Sequence, residues 1–249
     1  MFAVCFRNVS FWTGVLPLRL RWVFKYFDVA MSFTLYKNRL QGVRQLDSPN
    51  QSCRGPGDQI ELLIIHNISL PPGEFGTSCI DDLFCNRLDM DSHPYFRKIE
   101  DLQVSSHLLI DRHGMVTQYV PFDKKAWHAG ESSFRGRSSC NDFSIGIELE
   151  GTDHEPFLPE QYETLVGVTN SLLLEYPYLN LARIVGHSDV APGRKTDPGP
   201  FFDWEGYKNA LDTMSNSREQ SPTHGSWDWG LAGSIDAQPS NMTSYVSTG

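Results

Sequence analysis

The chain has 249 residues, 40% of them hydrophobic, which is enough for one domain with a sizeable core and tails. Its net charge of −9, with no long block of Lys or Arg, argues against a nucleic-acid partner and for a neutral or small anionic ligand. Five cysteines, at 5, 53, 79, 85 and 140, are odd in number and lack Cys-x-x-Cys spacing, so they read as buried free thiols of a reducing compartment.

Residues 1–30 are aromatic and basic, with Arg7, Arg19, Arg21 and Lys25, and differ in composition from the rest of the chain. Pro17, Arg19 and Arg21 interrupt the apolar run well short of the roughly 20 residues a membrane span needs, and no small-x-small cleavage site is visible. The segment is read as an upstream extension, and the working protein as starting near Met31. Residues 31–57 form an entry segment with turn signals at Pro49-Asn50 and Gly55-Pro56-Gly57 and a short strand over 42–46. IELLIIH is a continuous apolar run of buried-strand character that delivers His66 where the strand leaves the sheet. The loop NISLPPGEFG comes next, with Asn67 at its root.

Residues 79–88 predict a short helix, and residues 95–102 another helical turn after His93-Pro94. VSSHLLIDRHGMVTQYV predicts a hairpin turning at Arg112-His113-Gly114, with His107 a structural or supporting histidine and His93 and His113 exposed. In the loop PFDKKAWHAG, Trp127 and His128 offer a flat apolar surface and a hydrogen-bond donor, unless the loop only packs. Residues 131–141 form a mildly basic loop that selects substrate or is simply solvated. In FSIGIELEG, Phe143, Ile145, Ile147 and Leu149 alternate with Ser144, Gly146, Glu148 and Glu150, which puts Glu148 opposite the apolar face. Ser144 and Gly146 leave room there for a ligand, while Glu150 and Asp153 read as solvated rim charges.

The clearest helix is 159–176, bounded by Pro159 and Pro177. LARIVGH repeats the apolar strand ending in a histidine, His187, and Asp203 caps a last helix to about Thr213. From 215 the chain is rich in Ser, Asn, Gln, Thr and Gly, with Trp227 and Trp229, and reads as a disordered tail. The alternation of strands and helices predicts an α/β fold, a single domain over 58–214 with a mixed central β-sheet flanked by helices.

The stretch GHSDVAPGRKTDPGP, residues 186–200, concentrates the chemistry. His187 offers an imidazole and Asp197 a carboxylate, and they meet on one zinc ion if the loop doubles back, for which Pro192-Gly193 supplies a turn. Pro198-Gly199-Pro200 bars a helix, so Lys195 and Asp197 are expected in extended chain, facing the same way. A cation beside a metal needs an anion between them, and hydrolysis creates an oxyanion, so Lys195 reads as its stabiliser. A catalytic zinc takes three protein ligands and keeps one position open, and His66 is the best third ligand. Such a set leaves the ion a net charge of about +1 and brings bound water to a pKa of roughly 7. Glu148 is then the general base for that water and the later proton donor to a leaving amine. The competing readings are a hydrogen-bonded core histidine for His66 and a surface glutamate on an edge strand for Glu148.

Together, HNISLPPGEFG, YVPFDKKAWHAGES, CNDFSIGIELEGTD and GHSDVAPGRKTDPGP resemble the zinc-dependent N-acetylmuramoyl-L-alanine amidases of the AmpD type, cytosolic anhydro-muropeptide amidases of wall recycling, over residues 43–211. The resemblance implies Zn²⁺ on His66, His187 and Asp197, Glu148 as acid and base, Lys195 at the oxyanion, and Asn67 and Trp127 lining the substrate cleft. Asp197 stands where phage and recognition-protein relatives usually carry cysteine, which favours the AmpD branch. Gln103 and Ser139 stand where that branch often has substrate-contacting arginines, and Arg135 and Arg137 lie close enough in sequence to stand in. The substrate implied is a soluble 1,6-anhydro-muropeptide in the cytoplasm, with no nucleic acid, membrane or obligate protein partner. A module that binds wall fragments without cutting them is the alternative; loss of a ligand, Glu148 or Lys195 would favour it, and all are present. A purely structural zinc would usually fill four positions with Cys or His.

Overall fold

The computed structural model describes residues 32–219. The extension over 1–30, Cys5, and the tail from 220 with Trp227 and Trp229 lie outside the described residues.

Four short strands open the described chain: β1 (Leu35–Tyr36), β2 (Arg39–Leu40), β3 (Arg44–Gln45) and β4 (Gln51–Cys53). The apolar run becomes β5 (Leu62–Ile68), which continues two residues past His66, so the histidine sits within the strand and not at its exit. Helix α1 (Cys79–Phe84) is shorter than predicted, because the chain turns at Cys85 and enters a left-handed conformation at Asn86, φ 56°. Residues 95–102 hold a single 3-10 turn, Phe96–Ile99. The predicted hairpin is β6 (Leu108–Ile110) and β7 (Val116–Gln118). Its turn is tied by the Asp111 carboxylate, which accepts from the backbone N–H of His113 and Met115.

Next come β8 (Lys124–Ala126), β9 (Ser133–Phe134), β10 (Arg137–Ser138) and β11 (Ser144–Glu150). Helix α2 (Pro159–Glu175) begins where Pro159 pre-sets φ and the Gln161 side chain accepts from the Leu158 N–H at 3.0 Å; Pro177 ends it. Strand β12 (Ile184–Gly186) runs directly into the short α3 (His187–Val190). Helix α4 (Trp204–Glu219) is started by Asp203, whose Oδ1 accepts from the Gly206 N–H at 3.0 Å. It passes the predicted domain end at 214, so 215–219 are helix and not tail.

The main sheet has six strands in the order β12-β5-β11-β6-β7-β3. It is mixed: β6 and β7 pair antiparallel and every other neighbour pair is parallel. Strand β11 is central, and all seven of its residues are buried, so Glu148 is not on an edge. Alternation divides the faces. Leu63, Ile65, Ile145, Ile147 and Leu149 pack with Leu165, Val168 and Leu172 of α2 and with Tyr207 and Leu211 of α4. On the other face Leu62 and Ile64 join a smaller cluster with Ala129, Cys140, Phe143 and Val190, and that face carries the site. Of the four described cysteines only Cys140 is buried; Cys53 is exposed and Cys79 and Cys85 are half-buried, so the buried-thiol reading holds at one position.

Candidate active site

Register brings distant residues together. Glu148 of β11 pairs with His66 of β5, and Gly186 of β12 pairs with Ile65, so His187 follows at the level of His66. Asp197 is drawn back by its own carbonyl, which accepts from the Ser188 N–H at 3.0 Å, and by Pro198, which packs on Gly186 where a Cβ would come within 2.8 Å. A turn at Pro192–Arg194 returns the chain as predicted; Lys195 and Thr196 have no regular structure, and Asp197 lies in a second turn.

His66 Nδ1, His187 Nδ1 and Asp197 Oδ2 each stand 3.0 Å from the other two. Ligand atoms about 2.0 Å from a tetrahedral ion stand about 3.3 Å apart, so this triangle is close to one face of a zinc coordination shell. The protons agree. His187 Nε2 faces the Ala129 carbonyl at 3.1 Å, which can only accept, so the proton of the neutral ring is on Nε2 and Nδ1 turns a lone pair toward Asp197. Opposed lone pairs at this distance fit a cation between them, and the His, His, carboxylate set fits zinc. Burial pushes His66 down to about 4, against the opposing pull of Asp197. Burial alone would raise the Asp197 carboxyl, but the adjoining His187 and His66 imidazoles hold it below the usual carboxylate range.

Glu148 lies beside this triangle, 8% exposed, and its Oε2 has no hydrogen-bond partner among the described residues. Burial, then the charge of Asp197, push its pKa well above the usual range, while Lys195 pulls it down. Lys195 is exposed, and its charge acts on both Glu148 and His66.

The family model described as N-acetylmuramoyl-L-alanine amidase (Amidase_2) matches residues 56–200, which include His66, Glu148, His187, Lys195 and Asp197. The chain belongs to that family. The 1,6-anhydro-N-acetylmuramyl-L-alanine amidase AmpD of Enterobacter cloacae is 54% identical over 177 residues, 71% of this chain and 94% of the relative. AmpD of Escherichia coli strain K12 is 53% identical over 169 residues, 68% of this chain and 92% of the relative. A crystal structure of a Se-Met AmpD derivative superposes with a TM-score of 0.70 at 51% identity, covering 72% of this chain and 99% of that one. The amidase therefore has the single-domain mixed sheet of its relatives, and among its described residues no helix is long and apolar enough to cross a membrane.

Trp127 is half-buried, its indole N–H donating to Ser52 Oγ at 3.1 Å, and it walls a cavity of about 290 Å³ with Lys125, Gly130, Ser139 and Asn141, whose lining includes none of His66, Glu148, His187, Lys195 and Asp197. Asn67 gives its amide N–H to Asp153 at 2.6 Å, so Asp153 is a tether and not a free rim charge. His128 was expected on the substrate surface, but it is 8% exposed and lies behind His66, its Nδ1 2.9 Å from His66 Nε2. The room predicted over Ser144 and Gly146 is filled by this ring: a Cβ at Gly146 would meet it at 2.5 Å. Glu150 is also no rim charge, being 3% exposed and accepting from the backbone N–H of Gly76 and Arg112.

Arg135 and Arg137, close enough in sequence to stand in for missing arginines, both have protein partners. Arg137 stacks on Phe143 and pairs with Asp58 and Glu61 at the start of β5, and Arg135 donates to the Ala182 carbonyl. Gln103 and Ser139 are both exposed. Sequence reasoning passed over Arg54, which is half-buried and donates to the carbonyls of Phe122, Asn141, Asp142 and Ser144, tying the loop before β11 to the sheet. Nothing in an isolated arginine before Gly-Pro-Gly marks such a role. His107 proves structural, as expected: its Nδ1 accepts from the Gly146 N–H and its Nε2 faces the Lys124 carbonyl.

Proposed function

We propose that this amidase hydrolyses the amide between the lactyl carbonyl of 1,6-anhydro-N-acetylmuramic acid and L-alanine in soluble muropeptides, in peptidoglycan recycling and in the cytoplasm. The observation that carries the reading is the triangle of His66, His187 and Asp197 with the unpartnered carboxylate oxygen of Glu148 beside it. The substrate is argued from relatives more than 50% identical, whose names specify this bond.

Zinc held by His66, His187 and Asp197 would supply Lewis-acid charge to the amide carbonyl and lower the pKa of water to about 7. Glu148, with its raised pKa, takes a proton from the attacking water and delivers it to the alanine nitrogen, which leaves as a neutral amine. Lys195 sets its ammonium against the negative charge that grows on the carbonyl oxygen. Trp127 offers a ring face to the sugar, and Asn67, with one amide N–H committed to Asp153, keeps its carbonyl oxygen for a substrate N–H.

Incubating the full chain with a 1,6-anhydro-muramyl peptide and following products by mass spectrometry tests this. Release of a peptide with a free alanine amine is expected, lost on chelation and restored by zinc. Failure of the zinc-replete chain to release it, or release indifferent to chelation, would overturn the reading.

A further inference from the structure

One dipeptide backs both metal-facing histidines. His66 Nε2 lies 2.9 Å from His128 Nδ1, and His187 Nε2 lies 3.1 Å from the carbonyl of Ala129. That dipeptide is itself pinned: Asn141 Oδ1 accepts from the backbone N–H of His128 at 3.2 Å and of Ala129 at 2.8 Å. The remaining nitrogen of His128, Nε2, lies 3.1 Å from Ser144 Oγ. The ring is seated over Gly146, where any side chain would displace it. His66, His128 and Ser144 are all buried, so no solvent competes for these bonds.

The proton positions run in one direction. His66 Nδ1 faces His187 Nδ1 and Asp197 Oδ2, so it presents a lone pair to an ion only when its proton is on Nε2. That Nε2–H donates to His128 Nδ1, which must be bare, so the neutral His128 carries its proton on Nε2 and donates to Ser144 Oγ. Reversing the chain would put a proton on His66 Nδ1, among the ligand atoms. We propose that His128, backed by Ser144, is the positioning residue that fixes the tautomer and ring orientation of His66 for metal binding. An imidazole does this without adding charge; a carboxylate in its place would put a further buried anion beside Glu148 and Asp197. This rests on the metal-site reading above.

The test uses the full chain, with zinc affinity read by competition against a chromophoric chelator and ring tautomers read from long-range proton–nitrogen spectra of the zinc-loaded protein. In the wild type both His66 and His128 are expected to carry their proton on Nε2. His128→Phe, which fills the space without accepting a hydrogen bond, is expected to weaken zinc binding about 10- to 100-fold. His128→Gln, whose amide both accepts and donates, recovers part of the loss, and Ser144→Ala gives a smaller one. Folded His128→Phe with zinc affinity within about twofold of wild type, below the usual effect of an outer ligand partner, overturns the inference. So does a wild-type His66 or His128 protonated on Nδ1, and that reading decides alone if His128→Phe does not fold. Wild type that binds no zinc removes the metal-site reading and this inference together; wild type that binds zinc beside an unaffected variant removes only the latter.

Discussion

A glutamate is ordinarily ionised and solvated, and Glu148 is neither well solvated nor paired, because β11 is central and the position beside His66 admits little water. Glu148→Gln keeps the shape and removes the proton transfer. It is expected to lower kcat about 10²- to 10⁴-fold with zinc affinity retained, read by steady-state kinetics alongside chelator competition. Lys195→Met should lower kcat by about 10²-fold with a smaller effect on KM, as expected for a group that acts on charge present only in the transition state. His187, Asp197 and Lys195 were legible because fifteen adjacent positions hold them all. His128 and Glu150 were misread for a shared reason: sequence shows what a side chain can bond to, but not that a buried backbone N–H or a ligand ring has already claimed it.

At the same scale, burial and then the Arg54 guanidinium push His107 down to about 3. An unfolded chain takes up that proton near pH 6.5, the folded chain only near 3, so stability due to neutral His107 is full above about pH 6.5 and is lost on acidification, at about 1.4 kcal/mol per pH unit. Urea unfolding of the metal-free chain should therefore lose stability less steeply between about pH 6 and about pH 4 in His107→Gln than in wild type; parallel slopes would contradict this.

Among the elements, the pairing of β5 with β11 does most to build the site, since it alone sets Glu148 beside His66. The apolar runs made both strands legible, but not their adjacency, because strand order depends on contacts across the chain that periodicity does not encode. Ends marked by proline or a cap were read well, as at Pro159, Pro177 and Asp203, and ends without such a mark were not, as at Phe84 and Glu219. Gly146 links the strand to the site, because its missing side chain is the space His128 occupies. Gly146→Ala is expected to destabilise the chain by about 1–3 kcal/mol through overpacking, and to weaken zinc binding as well. A thermal-unfolding midpoint equal to wild type would show that the ring moves aside freely.

In the whole molecule, one face of the sheet is closed by α2 and α4 and bears the larger core, so the other face can carry charged and metal-facing groups without giving up stability. Asp197→Ala separates a catalytic from a structural ion: activity and zinc binding should be lost while circular dichroism and metal-free unfolding stay close to wild type. Gross unfolding would mean that the ion holds the fold. Three side chains, one from within β5, one from the residue that follows β12 and one from a returning loop, are held to bind one ion and leave a side open toward Glu148. Anomalous diffraction at the zinc edge from crystals of the zinc-loaded chain tests it most directly. The account predicts a single strong peak within bonding reach of His66 Nδ1, His187 Nδ1 and Asp197 Oδ2 and of no fourth protein atom; a peak elsewhere, or a shell closed by a fourth side chain, would contradict it.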